Sequence, residues 1–264
     1  MPGIRRLLTL ASCGALALLT ACASPRVALP SGDASPFPDA AAAYDAAVRG
    51  CRAVQTMAAR LDLSGRAGGQ GLRGQVDAGF EAPDRIRLEM RAPMGRPVFI
   101  LVASGADATL YLPRDDRVLR DATTADIVEA LVGLRLEAAE LRAAISGCGL
   151  EIAPPGDGRE YAGGWVAVSA GTSTAYLREE EGRWRMVAAT RPPLSVHYSA
   201  FTLSRPSTVR LQAPEPARAD VTVRLTDVSV NVPLAPGVFE IAVPESAEPL
   251  TIGELRRAGP LGVR

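Results

Sequence analysis

The sequence predicts an α+β fold: an antiparallel sheet of about ten strands, curled into a half-open β-barrel, with a helical lid enclosing an apolar cavity. Three observations carry this. Short runs of alternating apolar and polar residues recur, separated by turn residues, as in a meander. Two helical patterns interrupt those runs midway, at 123–134 and 137–147. An Ala-rich helical stretch precedes all of them. A large antiparallel sheet tends to curl, and helices inserted midway can cover its open side.

The whole chain sets broad limits. Its 264 residues are 47% hydrophobic, too apolar for intrinsic disorder and enough for one ordinary core. Basic and acidic residues balance at 29 each, whereas a nucleic-acid binder needs a basic surplus on one face. No Lys occurs, so every positive side chain is Arg.

The N-terminus begins with Arg5 and Arg6, followed by the apolar run LLTLASCGALALLT. That run has the length and flanks of a signal peptide, not of a spanning helix. It ends at LTAC, Leu19 to Cys22, which resembles the bacterial lipobox. LASC, ending at Cys13, fits the same pattern but leaves too short an apolar core after the arginines. Cys22 is therefore the expected lipidation site, with 1–21 as the signal peptide. Multiple acyl chains on one Cys make a stable anchor. Ala23 follows, where an Asp commonly retains such proteins at the inner membrane, so the outer membrane is the expected location.

Residues 22–38, rich in Pro and small residues, read as a flexible tether. Asp39 is the expected N-cap of a helix through DAAAAYDAAVRGCRAVQTMAAR. ARLDLSGRAGG and GLRGQVDAGFEAP then read as a hairpin. DRIRLEMRA alternates cleanly, with Ile86, Leu88 and Met90 on one face and arginines and Glu89 on the other. PVFILVASG and ATLYLPRDDRVLRD supply further strands. The first lid helix has Thr123 or Thr124 as N-cap and Gly133 near its end, and the second stops at Gly147. APPGDG breaks the chain. GWVAVSA, STAYLRE, RWRMVAAT, LSVHYSAF, STVRLQA and ADVTVRLTDVSVN resume the strands. Residues 39–232 form the expected barrel domain. Residues 233–264 form a C-terminal extension with a strand at VFEIAV and a short helix opened by a Thr251-x-x-Glu254 capping box.

Setting aside Cys13 and Cys22 leaves Cys51 and Cys148. In an oxidising compartment an even pair suggests a disulfide, worth about 2 to 4 kcal/mol, the alternative being two buried thiols.

Chemical motifs are scarce. The single histidine, His197, sits in a strand pattern, and no G-x-S-x-G elbow accompanies it. One His and isolated cysteines cannot assemble a metal site. RAGGQG lacks the Lys of a phosphate loop. REEEGR and the Asp115–Asp116 pair sit in turns. A catalytic function, a metal and a cofactor are therefore not expected.

Residues 83–147 resemble the LolB family of outer-membrane lipoproteins, which receive other lipoproteins. The resemblance rests on Asp84 to Leu88 in a D-R-I-R-L strand and on a turn at Pro93, Met94 and Gly95. It continues through the strand pair from Leu110 to Arg120, the helix from Thr124 to Gly133, and Leu141 with Arg142. Weaker similarity covers about 50–230. LolA, LppX and RseB-like proteins share that fold. The resemblance implies a half-barrel whose cavity binds acyl chains, with acylated lipoproteins and a LolA-like periplasmic carrier as partners and a monomeric chain. It also implies that Met94, held between Pro93 and Gly95, projects as a membrane-insertion tip. Ile86, Leu88, Met90, Ile100, Leu110, Leu112, Ile127 and Leu131 are the expected cavity residues. Burying each CH₂ gains about 0.8 kcal/mol, so exposing a chain of roughly sixteen carbons costs about 12 kcal/mol. A dry cavity and a lid meet that need without ATP or metal. The alternative is a lipoprotein that binds a lipid or glycolipid, or senses envelope stress, without transfer.

Overall fold

The computed structural model describes residues 28–92, 94 and 96–258. Cys22, Pro93 and Gly95 therefore lie outside the described residues, as does the signal peptide. Among the described residues no helix is long and apolar enough to cross a membrane.

Among the described residues the first elements are β1 (Ala34–Pro36) and α1 (Ala40–Arg52). A meander follows: β2 (Thr56–Ala67), β3 (Gln70–Glu81), β4 (Arg85–Met90), β5 (Phe99–Ser104), β6 (Asp107–Leu112) and β7 (Arg117–Ala122). Two lid helices come next, α2 (Thr124–Val132) and α3 (Ala138–Ser146). A second meander contains β8 (Pro155–Tyr161), β9 (Trp165–Ala170), β10 (Ser173–Glu180), β11 (Arg183–Arg191), β12 (Leu194–Thr202), β13 (Arg205–Ala213) and β14 (Ala219–Val230). The last described elements are β15 (Glu248–Pro249) and α4 (Ile252–Ala258).

All strands join one sheet, in the order β1-β8-β9-β10-β11-β12-β13-β14-β2-β3-β4-β5-β6-β7-β15. The sheet is open, and every pairing is antiparallel except β15 beside β7. The two meanders join where β14 pairs with β2, from Asp220↔Arg66 to Val230↔Met57, with a shift of register between Thr226 and Ser229. The α+β class and half-open sheet stand, but among the described residues the sheet has fifteen strands where about ten are expected.

The surplus lies where alternation fails. β8 reads PGDGREY, which carries no apolar face. Gly158 in it lets α1 approach, because a Cβ there would meet Ala40 Cβ at 2.2 Å. β1 and β15 are edge strands of three and two residues. Conversely, VFEIAV is not a strand, and turns occupy 236–239. Part of the stretch read as a tether is ordered as β1. α1 ends at Arg52, and Thr56 to Arg60 already belong to β2. Asp39 occupies the N-cap position of α1 without a side-chain cap bond.

α1 packs on β8–β11 through Tyr44, Val48 and Cys51, spaced to share one helical face. α2 is capped by Thr123, whose hydroxyl accepts from Asp126 N–H at 3.1 Å. α3 is opened by a reciprocal capping box between Glu137 and Glu140. Both lid helices end at left-handed glycines, Gly133 and Gly147.

Candidate functional site

The inward residues of the two meanders face α2 and α3 across an apolar cavity of about 80 Å³. Strands contribute Leu61, Leu63, Val76, Phe80, Leu88, Phe99 and Leu101 from the first meander. Leu211, Val221 and Val223 come from the second. The lid contributes Val128, Leu131 and Val132 from α2, and Leu141 and Ile145 from α3. Leu134 and Leu136, in the α2–α3 loop, are 1% and 0% exposed and complete the lining. Arg135 between them turns outward to Asp126 (2.7 Å) and Glu129 (3.3 Å). Every lining side chain is a hydrocarbon, so the site holds no group that could act as acid, base or nucleophile.

The lining follows from period-two alternation and strand pairing. Leu61 pairs with Val76, Leu63 with Gly74, and Leu88 with Leu101. Paired residues point to the same face, so these side chains converge. Leu63, Leu88 and Val132 are half-buried, so the cavity approaches solvent beside them.

Leu88 and Leu131 line the cavity. Six other residues assigned there by the sequence lie elsewhere. Ile86 and Leu110 are wholly buried in the core, and so is Ile127 on α2. Met90 folds over Gly74, where a Cβ would meet its Cε at 2.0 Å, and fills that notch instead. Ile100 alternates with Phe99 and Leu101 and so faces the other side of the sheet, beside Glu89 and Tyr111. Leu112 packs half-buried against the core. The fully apolar run FILVA hides its own phase, so the pattern does not distinguish Ile100 from Phe99 and Leu101. Leu61, Leu63, Val221 and Val223 alternate visibly in the sequence. Leu134 is the last apolar residue of the helical pattern at 123–134, but α2 ends at Val132 and Leu134 lies in the loop beyond it. Leu136 follows in that loop, where no periodicity marks an inward face.

Met94 lies in the loop from β4 to β5 and is 87% exposed. Backbone bonds from Arg91 N–H to Gln75 O and from Val98 N–H to Met90 O, both 2.9 Å, fix the base of that loop. Arg96 ties it to the neighbouring turn by donating to Pro113 O at 3.2 Å. The lid reaches the same end of the sheet. A Cβ on Gly133 would meet Ala217 O at 3.0 Å and Gly68 N at 3.8 Å, and Gly68 sits in the turn that leads into β3. Met94 and the free corner of the lid therefore share one end of the sheet.

α3 is fastened at several points. Arg142, 7% exposed, donates from Nε to Pro83 O at 2.9 Å. Burial holds its guanidinium below its usual pKa, against the raising effect of Asp84. Tyr198 donates to Ala144 O at 2.9 Å and accepts from Gly149 N–H at 3.0 Å. Its burial pushes the phenol up. Arg191 pairs with Glu140. Cys51 and Cys148 form a disulfide that joins α1 to the end of α3.

His197 is half-buried on β12, opposite Ala188 and Arg210. Burial first, and then Arg210, hold its imidazole below the usual value. Among the described residues no group of three or more His, Cys, Asp or Glu side chains could hold a metal ion.

The chain matches no family profile and no curated protein. Solved structures resemble it at low identity. A LolA superfamily protein from Nitrosomonas europaea is 11% identical over 76% of this chain and 97% of its own, with a TM-score of 0.48. A DUF1329 family protein from Desulfovibrio piger is 14% identical over 77% and 98%, with a TM-score of 0.47. The Mycobacterium tuberculosis lipoprotein LppX is 9% identical over 75% and 98%, with a TM-score of 0.34. Likeness at this level is one of general architecture and says nothing of activity.

Proposed function

We propose that this protein is a lipoprotein, anchored through Cys22 at the periplasmic face of the outer membrane, that holds acyl chains of other lipoproteins and helps insert them into that membrane. In this reading it acts as LolB proteins do, receives cargo from a LolA-like carrier, and is not an enzyme. The supporting observation is the all-hydrocarbon cavity between the sheet and the lid. A dry cavity of about 150 Å³ accommodates a benzene molecule. At about 80 Å³ this one takes far less than an acyl chain. It is the closed form of a site that enlarges when α2 and the α2–α3 loop move, since these supply five of the lining residues. In this reading exposed Met94, at the sheet end shared with the lid corner, meets the bilayer as acyl chains leave.

The test is direct transfer. A soluble chain starting at Ala23 should take an acylated lipoprotein from a LolA-type carrier. The native protein should carry lipid detectable by mass spectrometry. Absence of both bound lipid and transfer would refute the reading, whereas bound lipid without transfer would reduce it to lipid binding.

A further inference from the structure

The two lid helices are held in different ways. α3 is bolted to the sheet and to α1 by Arg142, Tyr198 and the Cys51–Cys148 disulfide. The ion pairs of α2 run instead to Arg135 in the loop after it and to α4, where Arg256 reaches Glu129 at 3.2 Å. Glu129 thus links α4 to the loop that puts Leu134 and Leu136 into the cavity.

α4 is the end of a long strap. Asn231 starts it, accepting from Gln55 N–H at 2.8 Å and donating to Ala53 O at 3.0 Å. The strap then crosses the outer face of β4. There Arg87 donates to Val238 O (3.3 Å) and Glu240 O (3.1 Å), and the Arg85 guanidinium sits 4.5 Å from the Phe239 ring centre. It rounds the sheet edge as β15, with Leu250 N–H donating to Val118 O at 2.7 Å. Glu254 closes the capping box on Thr251 and also accepts from Arg117 of β7 at 3.1 and 3.2 Å. Leu255, 3% exposed, is the one side chain α4 buries among the described residues. Seven residues are too few for a helix to persist alone, so α4 survives through these contacts and is among the easier elements to release.

We propose that residues 233–258 are a latch: α4 holds α2, with Leu134 and Leu136 as plugs, closed over the cavity, and its release lets an acyl chain replace them. This rests on the cavity being the acyl site. α3, fastened independently, is the fixed side of the hinge.

The test uses the chain from Ala23 onward, which contains every described residue. Leu255→Ser and Glu254→Gln detach α4 by separate means, one through packing and one through charge and capping. In both, amides of 124–137 should exchange with deuterium about tenfold faster, equivalent to about 1.4 kcal/mol, while those of α3 stay protected. Uptake of fluorescently labelled palmitate should accelerate in parallel. The latch is wrong if α4 loses protection and 124–137 does not. If 124–137 opens and neither variant nor the parent takes up palmitate, the latch stands and the acyl-binding function falls.

Discussion

Cys51 and Cys148 are 97 residues apart in sequence, and their α carbons lie 5.6 Å apart. The bond joins α1, which covers one half of the sheet, to the residue just past α3, which covers the other. Both helix ends are buried at this junction. The link therefore ties α1 to the end of α3 across distant parts of the chain.

Replacing both cysteines by Ala should lower stability by about 2 to 5 kcal/mol, because the cross-link restricts the unfolded chain. Denaturant unfolding of the two forms measures this. Mass spectrometry should show a gain of two hydrogen atoms when a thiol reductant reduces the parent. An unchanged unfolding midpoint would mean that the packing alone holds the junction.

Leu136→Ala separates a plug from ordinary core. Truncating a fully buried leucine should cost about 2 to 5 kcal/mol of stability. The same change enlarges the cavity, so palmitate should bind more tightly, measured by titration of a fluorescent analogue. Stability and binding that fall together would make Leu136 a core residue and nothing more.

Met94→Glu should leave unfolding within about 0.5 kcal/mol of the parent, because its side chain is almost wholly exposed. Palmitate binding should also persist. Liposome flotation and lipoprotein insertion should fail, because a carboxylate at the tip resists entry into hydrocarbon. Normal insertion by this variant would remove Met94 from the mechanism.

One imidazole and one carboxylate contribute separable steps to the acid response. The His197 imidazole is held below its usual value by burial and then by Arg210, whose partner Asp220 opposes the shift. The unfolded chain then binds the extra proton first, so stability should fall as pH drops through about 6.5, and His197→Gln should flatten that step. Glu254 is held at about 2 by the Thr251 N–H, the Thr251 hydroxyl and Arg117. Its contribution is complete above the unfolded value of about 4.3 and is lost as pH falls from there toward 2. Amide exchange of α4 should rise across that lower window in the parent and be insensitive to it in Glu254→Gln.

Periodicity alone reveals β4, whose Arg-Ile-Arg-Leu-Glu-Met places Leu88 inward and Arg87 outward. The caps at Thr123, Gly133 and Gly147 were equally readable, because they depend on neighbours three or four residues away. Ile100 shows the limit. In an unbroken apolar run no polar residue marks the outer face, and its phase is set by pairing with Glu89 and Tyr111 on adjacent strands. Gly74 and Met90 show another: sixteen positions apart, they meet because a missing side chain on one strand leaves a notch for the next.

The sequence by itself determined the α+β class, the lid helices and the supply of inward hydrocarbon, since these follow from local pattern and short-range capping. Tertiary structure alone decided which of those side chains bound the cavity, how small it is, and which segments pack over it. Leu134 and Leu136 reach the cavity only because the loop between α2 and α3 crosses the sheet there. Arg256 meets Glu129 only because a strap without periodicity travels around the sheet edge to reach α2. Such contacts depend on where distant segments converge, and no local pattern encodes that.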